Sequence, residues 1–102
     1  MQPPPQQIGG ATVIGYAAVD ERVRPTGNCR HSWGAEPLGP AAGLAICQYP
    51  GEDAFYLFSC DSAWREYADT WHETLDDALR QAAFEYEGVG QNWVWASPGG
   101  EP

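Results

Sequence analysis

TWHETLDDALRQAAFEYEG, residues 70–88, decides the fold, because only here does the chain carry a start signal, a sustained helical period and a stop. Thr74 is a good N-cap: its hydroxyl is placed to accept the free backbone N–H of Asp77. Asp77 is placed to reach back in an abbreviated capping box. Glu73, Asp76 and Asp77 set negative charge where the helix dipole favours it. The residues Leu75, Ala78, Leu79, Ala82, Ala83 and Tyr86 then follow the spacing of one buried stripe. Asp76 and Arg80 have the i, i+4 spacing of an ion pair, and Gly88 supplies the left-handed residue that stops a helix. The expectation is a helix over residues 75–87.

Small residues at the centre of that stripe allow close approach to a sheet, and the larger Leu75, Leu79 and Tyr86 fix its position. Ordering the backbone costs more than these few side chains return, so the helix requires the sheet. Two features run against the pattern. Phe84 lies about 180° around the helix from Leu75, on the polar face. Glu85 and Glu87 stand at the end where the dipole prefers cations. Phe84 is therefore either covered by the C-terminal segment or exposed as an aromatic anchor beside acids.

The rest of the chain supplies strands. Residues 11–23 begin β-branched and aromatic and end charged, the first strand region. Residues 44–49 and 54–60 read as a hairpin around Pro50-Gly51-Glu52-Asp53, and both strands are apolar on both faces. Residues 61–64 turn the chain, 65–71 return as a third and more polar strand, and 91–96 give a short last strand with Trp93 and Trp95 on one face. Between them lies an aperiodic loop, residues 24–43, with four Gly and three Pro. The proline- and glutamine-rich residues 1–10 read as a flexible lead-in and 97–102 as a flexible tail. The expectation is one α+β domain over 11–96, an antiparallel sheet of three to five strands with the helix on one face. One helix covers one face only. The other, with Ala45, Tyr56 and Phe58, calls for the 24–43 loop, anchored by Trp33 and Leu38, or for a second copy in a homodimer.

At 102 residues a single core is expected. The formal charge is −9, from fourteen acids against five arginines and no lysine. That balance argues against nucleic acid and anionic membranes and favours a basic protein partner. Three cysteines without C-x-x-C spacing indicate neither a disulfide framework nor a zinc knuckle. With no leader pattern and no run of transmembrane length, the cytoplasm is the expected location.

The chemically active residue types are few. Cys29 and His31 share the long loop, and His72 precedes the helix. A Cys–His pair can make a thiolate nucleophile, yet these residues match no local signature and lack metal-ligand spacing. His72 reads more simply as a strand-end residue bonding the start of the helix, and Cys47 and Cys60 as core thiols. Trp64 and Trp71 are expected in the core, with Trp33 in the loop the most exposed. No cofactor motif is present.

The block FYLFSCDSAW…DTWHETLDDALRQAAFEYEG resembles small stand-alone bacterial proteins without assigned activity, over residues 45–89. The T-W-H-x-T-x-x-x-A-x-x-Q-A-x-F-E-Y-E-G run is its most specific part, and the resemblance carries no catalytic residue with it. Size and charge are similar to those of immunity proteins and antitoxins by analogy. Two functional readings follow. One is a non-enzymatic module that holds a basic protein through Phe84, Glu85, Glu87, Asp76, Asp77 and Trp33. The other is a small-molecule or peptide binder, with enzymatic activity left open, centred on the 24–43 loop.

Overall fold

Strands that are apolar on both sides must be covered on both sides, and the fold is built around that requirement. The computed structural model describes residues 2–26, 32–33, 36–37 and 40–96, giving only the backbone at 32–33 and 36–37. In chain order the elements are β1 (Gln7–Ile8), β2 (Ala11–Ala18), β3 (Arg24–Pro25), β4 (Ser32–Trp33), β5 (Glu36–Pro37), β6 (Gly43–Gln48), β7 (Phe55–Cys60) and β8 (Glu66–His72). The helix α1 (Leu75–Glu85), β9 (Tyr86–Glu87), a 3-10 turn (Val89–Gln91) and β10 (Val94–Trp95) follow. The main sheet is antiparallel in the order β1-β2-β6-β7-β8, and β10 adds to β2 beside β1 as the sixth strand. It exceeds the expected number by one because its far edge is assembled from two short pieces. The α+β class stands as the sequence indicates.

Register assigns the faces. Ala17, Leu44, Ile46 and Leu57 point to the helix side, where they form one core with Val23, Ala78, Ala82, Tyr86 and Val89. Tyr16, Ala45, Phe58 and Asp69 follow one another across four strands on the opposite face. There Val13, Ala45, Cys47, Phe58 and Cys60 join Ile8, Ala11 and Trp64 in a second core. Bulges between Val13 and Gly15 and between Ser59 and Cys60 curl the sheet.

The cover of this second face corrects two expectations. The stretch read as a loose lead-in donates β1, whose Ile8 is buried, and the Gln2 carbonyl accepts the Trp64 indole N–H at 2.7 Å. Trp64 is the other cover. It sits at φ 60, a conformation that bulky residues rarely adopt, in a turn held by Asp61. The Asp61 Oδ1 atom accepts the backbone N–H groups of Ala63 and Arg65, each at 2.9 Å. The indole then meets Tyr16 edge-on with ring centroids 5.6 Å apart. Ala45 and Phe58 are fully buried within the chain and Tyr56 is half-buried, so most of the face for which the 24–43 loop or a second copy was expected as cover is filled by other parts of the chain. Leu38 and residues 97–102 lie outside the described residues, as does the side chain of Trp33.

The helix starts as expected, with the Thr74 hydroxyl accepting the Asp77 N–H at 3.1 Å, but it stops two residues early. Tyr86 turns to extended backbone because Tyr86–Glu87 pair with Arg24–Pro25, and its phenol oxygen accepts the Ala41 N–H at 2.8 Å. Gly88, at φ 87, begins the 3-10 turn rather than ending α1. The carbonyl oxygen of Arg22 would lie 2.4 Å from any Cβ placed there. Arg80 pairs with Asp77 at 3.6 Å instead of Asp76. Ala83 is exposed, and Glu85 occupies the interior beside Ala78 and Ala82.

The 24–43 stretch is also less plain than a loop, since it carries β3 and the β4–β5 pair. Val94–Trp95 joins β2, placing the Trp95 indole over Gly15, where a Cβ would meet the ring at 2.5 Å. Trp93 and Trp95 stack with centroids 5.7 Å apart, so the last segment closes the sheet edge and does not run under Phe84.

Two outcomes follow. Ala82→Leu, at the fully buried helix–sheet contact, should lower stability by about 1–3 kcal/mol in a denaturant melt through overpacking. With most of the second face covered from within, sedimentation at micromolar concentration should give one species near 11.1 kDa. A species of twice that mass would place an interface elsewhere on the molecule.

Candidate functional site

Two clusters of polar and aromatic side chains flank β8, one on each face of the sheet. On the helix side, Thr70 and His72 stand two residues apart and point the same way. The Thr70 hydroxyl lies 2.7 Å from His72 Nε2, and Asp77 Oδ2 lies 3.8 Å from His72 Nδ1. His72 is buried, and with Asp77, Arg80, Gln81 and Phe84 it lines a recess of about 270 Å³. Hydroxyl, imidazole and carboxylate stand in the order of an acyl-transfer triad. However, Asp77 is beyond hydrogen-bond reach of the ring and also pairs with Arg80, so it does not fix the tautomer. The hydrogen bond of His72 stays within β8, and its ring only approaches the first turn of α1, at 3.8 Å from Asp77.

On the opposite face the end of the hairpin and β8 carry aromatics among acids. Trp71 lies directly across from Tyr56, and Asp69 directly across from Phe58. Tyr49 and Tyr56 meet edge-to-face with centroids 5.1 Å apart, and the Tyr56 hydroxyl donates to Glu52 Oε1 at 3.4 Å. Trp71 is 59% exposed, the most exposed large apolar side chain described. Burial pushes the Tyr49 hydroxyl up in pKa, and the carboxylates of Glu66 and Asp69 add to that shift. The Tyr56 hydroxyl is raised in the same way, by burial and then Glu52. Glu66 itself is raised by burial and the neighbouring charge of Asp69. A raised carboxyl contributes stability below its unfolded pKa and loses it as pH rises through the folded value. At neutral pH this corner therefore holds like charges at some cost.

The described arginines make their ion pairs with other acids. Arg22 pairs with Asp20 at 3.0 Å, Arg65 with Asp61 at 3.1 Å, Arg80 with Asp77, and Arg24 lies across from Glu87 in the β3–β9 pair. Among the described residues none of these ion pairs involves Glu52, Glu66 or Asp69.

The sequence-derived binding set is divided by the structure. Phe84 is half exposed at the recess, beside Asp77, while Asp76 and Glu87 are exposed. Glu85 is buried, accepting from Gln81 Nε2 at 2.8 Å, and cannot present its carboxylate at the surface. Cys29 and His31 lie outside the described residues. No group of three potential metal ligands occurs among those described, and no helix there is long and apolar enough to cross a membrane. Trp71, expected in the core, is the opposite. The alternation of Asp69 and Trp71 along β8 already put them on one face, but their pairing with Phe58 and Tyr56 depends on register. No family model, no curated protein and no solved structure matches the chain.

Burial raises the thiols of Cys47 and Cys60 to about 12, which leaves almost no thiolate at neutral pH. Both should resist a thiol reagent in the native protein and react at the rate of free cysteine in denaturant. Rapid native labelling at either position would contradict their place in the second core.

Proposed function

We propose that the chain is a small acidic, non-enzymatic binding module that holds a basic protein partner on the Tyr49–Tyr56–Trp71 face. The observation that carries this reading is an exposed Trp71 set beside Tyr56 and Asp69, with Glu52 at its margin. Aromatic faces attract guanidinium and ammonium groups, and nearby carboxylates supply the charge such groups seek. The overall charge of −9 draws a basic partner toward any such face. On the helix side the sequence-derived acids serve this purpose less well, since Glu85 is buried and Asp77 is shared between Arg80 and His72. Phe84 and Asp76 remain at its margin.

In size and charge the chain is similar, by analogy, to immunity proteins and antitoxins. The alternative, a small-molecule or peptide site on the 24–43 loop, rests on residues outside those described.

A basic protein retained by the immobilised chain at low salt should dissociate as ionic strength rises from about 50 to 300 mM, where screening shortens to a few ångströms. Its affinity for the chain, measured directly, should fall at least tenfold with Trp71→Ala and again with Asp69→Lys. Binding that ignores salt and both substitutions would refute the reading.

A further inference from the structure

An exposed tryptophan on a sheet is a flat apolar plate, and the acceptors beside it decide what it takes. Trp71 and Asp69 lie two residues apart on β8, across from Tyr56 and Phe58, so both project from one face of the sheet. Both are exposed. Tyr56 and Tyr49, which meet edge-to-face, pack against the second core and give this corner a fixed backing. The acids here differ in what they already hold. Glu52 accepts the Tyr56 hydroxyl. The carboxyl of Glu66 lies against Gly9. Among the described residues no side-chain hydrogen bond or ion pair involves Asp69. Its charge reaches the rings all the same: behind burial and the carboxylates of Glu66 and Glu52, it helps to push up the hydroxyls of Tyr49 and Tyr56.

We infer that this corner receives an arginine side chain of the basic partner, its guanidinium lying on the Trp71 indole with its N–H edge turned to the Asp69 carboxylate. This rests on the binding reading above and names the group that the site selects. A guanidinium is planar, weakly hydrated and carries its donors in its own plane, so it stacks by its face and donates by its edge at the same time. The corner offers that combination: an exposed indole face, and an unpaired carboxylate on the same side of the sheet. Tyr56, directly across from Trp71, adds a second aromatic side chain beside the bound cation.

A lysine meets this corner less well. Its ammonium is a strongly hydrated point charge, and setting it against rings takes water from three donors that one carboxylate does not replace. A second copy of this chain is a poorer source of the guanidinium than a basic partner. Two chains of formal charge −9 repel each other. Arg22, Arg65 and Arg80 are, moreover, each paired with an acid of their own.

The test uses the full chain and three synthetic peptides of one design, glycine–serine spacers carrying arginine, lysine or citrulline at the same positions. Citrulline keeps the planar shape of arginine without its charge. In calorimetric titrations at low salt the arginine peptide should bind about tenfold more tightly than the lysine peptide, and the citrulline peptide should not bind. Trp71→Ala and Asp69→Asn should each erase the preference for arginine over lysine, whereas Trp71→Phe, which keeps a ring face, should retain it. The arginine peptide should also shift the Trp71 indole N–H resonance. If arginine and lysine peptides bind alike and both weaken with salt, the guanidinium assignment is overturned and the basic-partner reading stands. A preference that survives Trp71→Ala overturns the assignment as well. If the chain alone sediments as a dimer that Trp71→Ala dissolves, the occupant is a second copy and the inference fails. If no peptide binds at low salt, or citrulline binds as tightly as arginine, both readings are overturned.

Discussion

Everything in this molecule depends on β6 and β7 being apolar on both faces. Leu44 and Ile46 alternate with Ala45 and Cys47, and all four are fully buried. Such a pair of strands cannot stand at a surface; each face needs its own lid. The helix is one, and it fits because Ala78 and Ala82 let its backbone come close to Leu57 and its neighbours. The other is assembled from pieces with no regular structure of their own. Ile8 arrives on a two-residue strand and Trp64 on a turn that forces it to positive φ. A backbone conformation of that kind costs about 1–3 kcal/mol and persists only where its surroundings hold it. Here they do so through Asp61, whose carboxyl the Arg65 and Ala63 backbone donors hold below the usual carboxylate range.

The second lid is incomplete at one end of the sheet. Over Val13, Phe58 and Cys60 the cover is dense, but toward the other end of β7 it gives way to Tyr49, Tyr56 and Trp71. These side chains combine an apolar body with a polar tip, which suits the margin between core and water. Acids gather there, and none of the described arginine ion pairs involves Glu52, Glu66 or Asp69. A surface arranged only for solubility would intersperse both signs of charge. Here the arginine ion pairs among the described residues are local and lie elsewhere: Arg22 with Asp20, Arg65 with Asp61 and Arg80 with Asp77.

The helix side shows how one cluster admits two descriptions. Thr70, His72 and Asp77 repeat the chemical order of a catalytic relay, yet the 3.8 Å gap between His72 and Asp77 and the competing Arg80 guanidinium leave that relay unformed.

Local sequence determined the parts whose causes are local. The cap at Thr74, the stripe through Ala78 and Ala82, the hairpin turn at Pro50-Gly51 and the two-sided strands were all legible, because each rests on neighbours within a few residues. Outcomes that depend on distant partners were not. Tyr86 leaves the helix because Arg24–Pro25 pair with it; Glu85 turns inward; and Gln7–Ile8 find β2 instead of remaining loose. Nor did the alternation of Asp69 and Trp71 reveal that Tyr56 stands across from Trp71. Which side chains meet across a sheet is set by register, and register emerges only when turns, bulges and both cores are satisfied together.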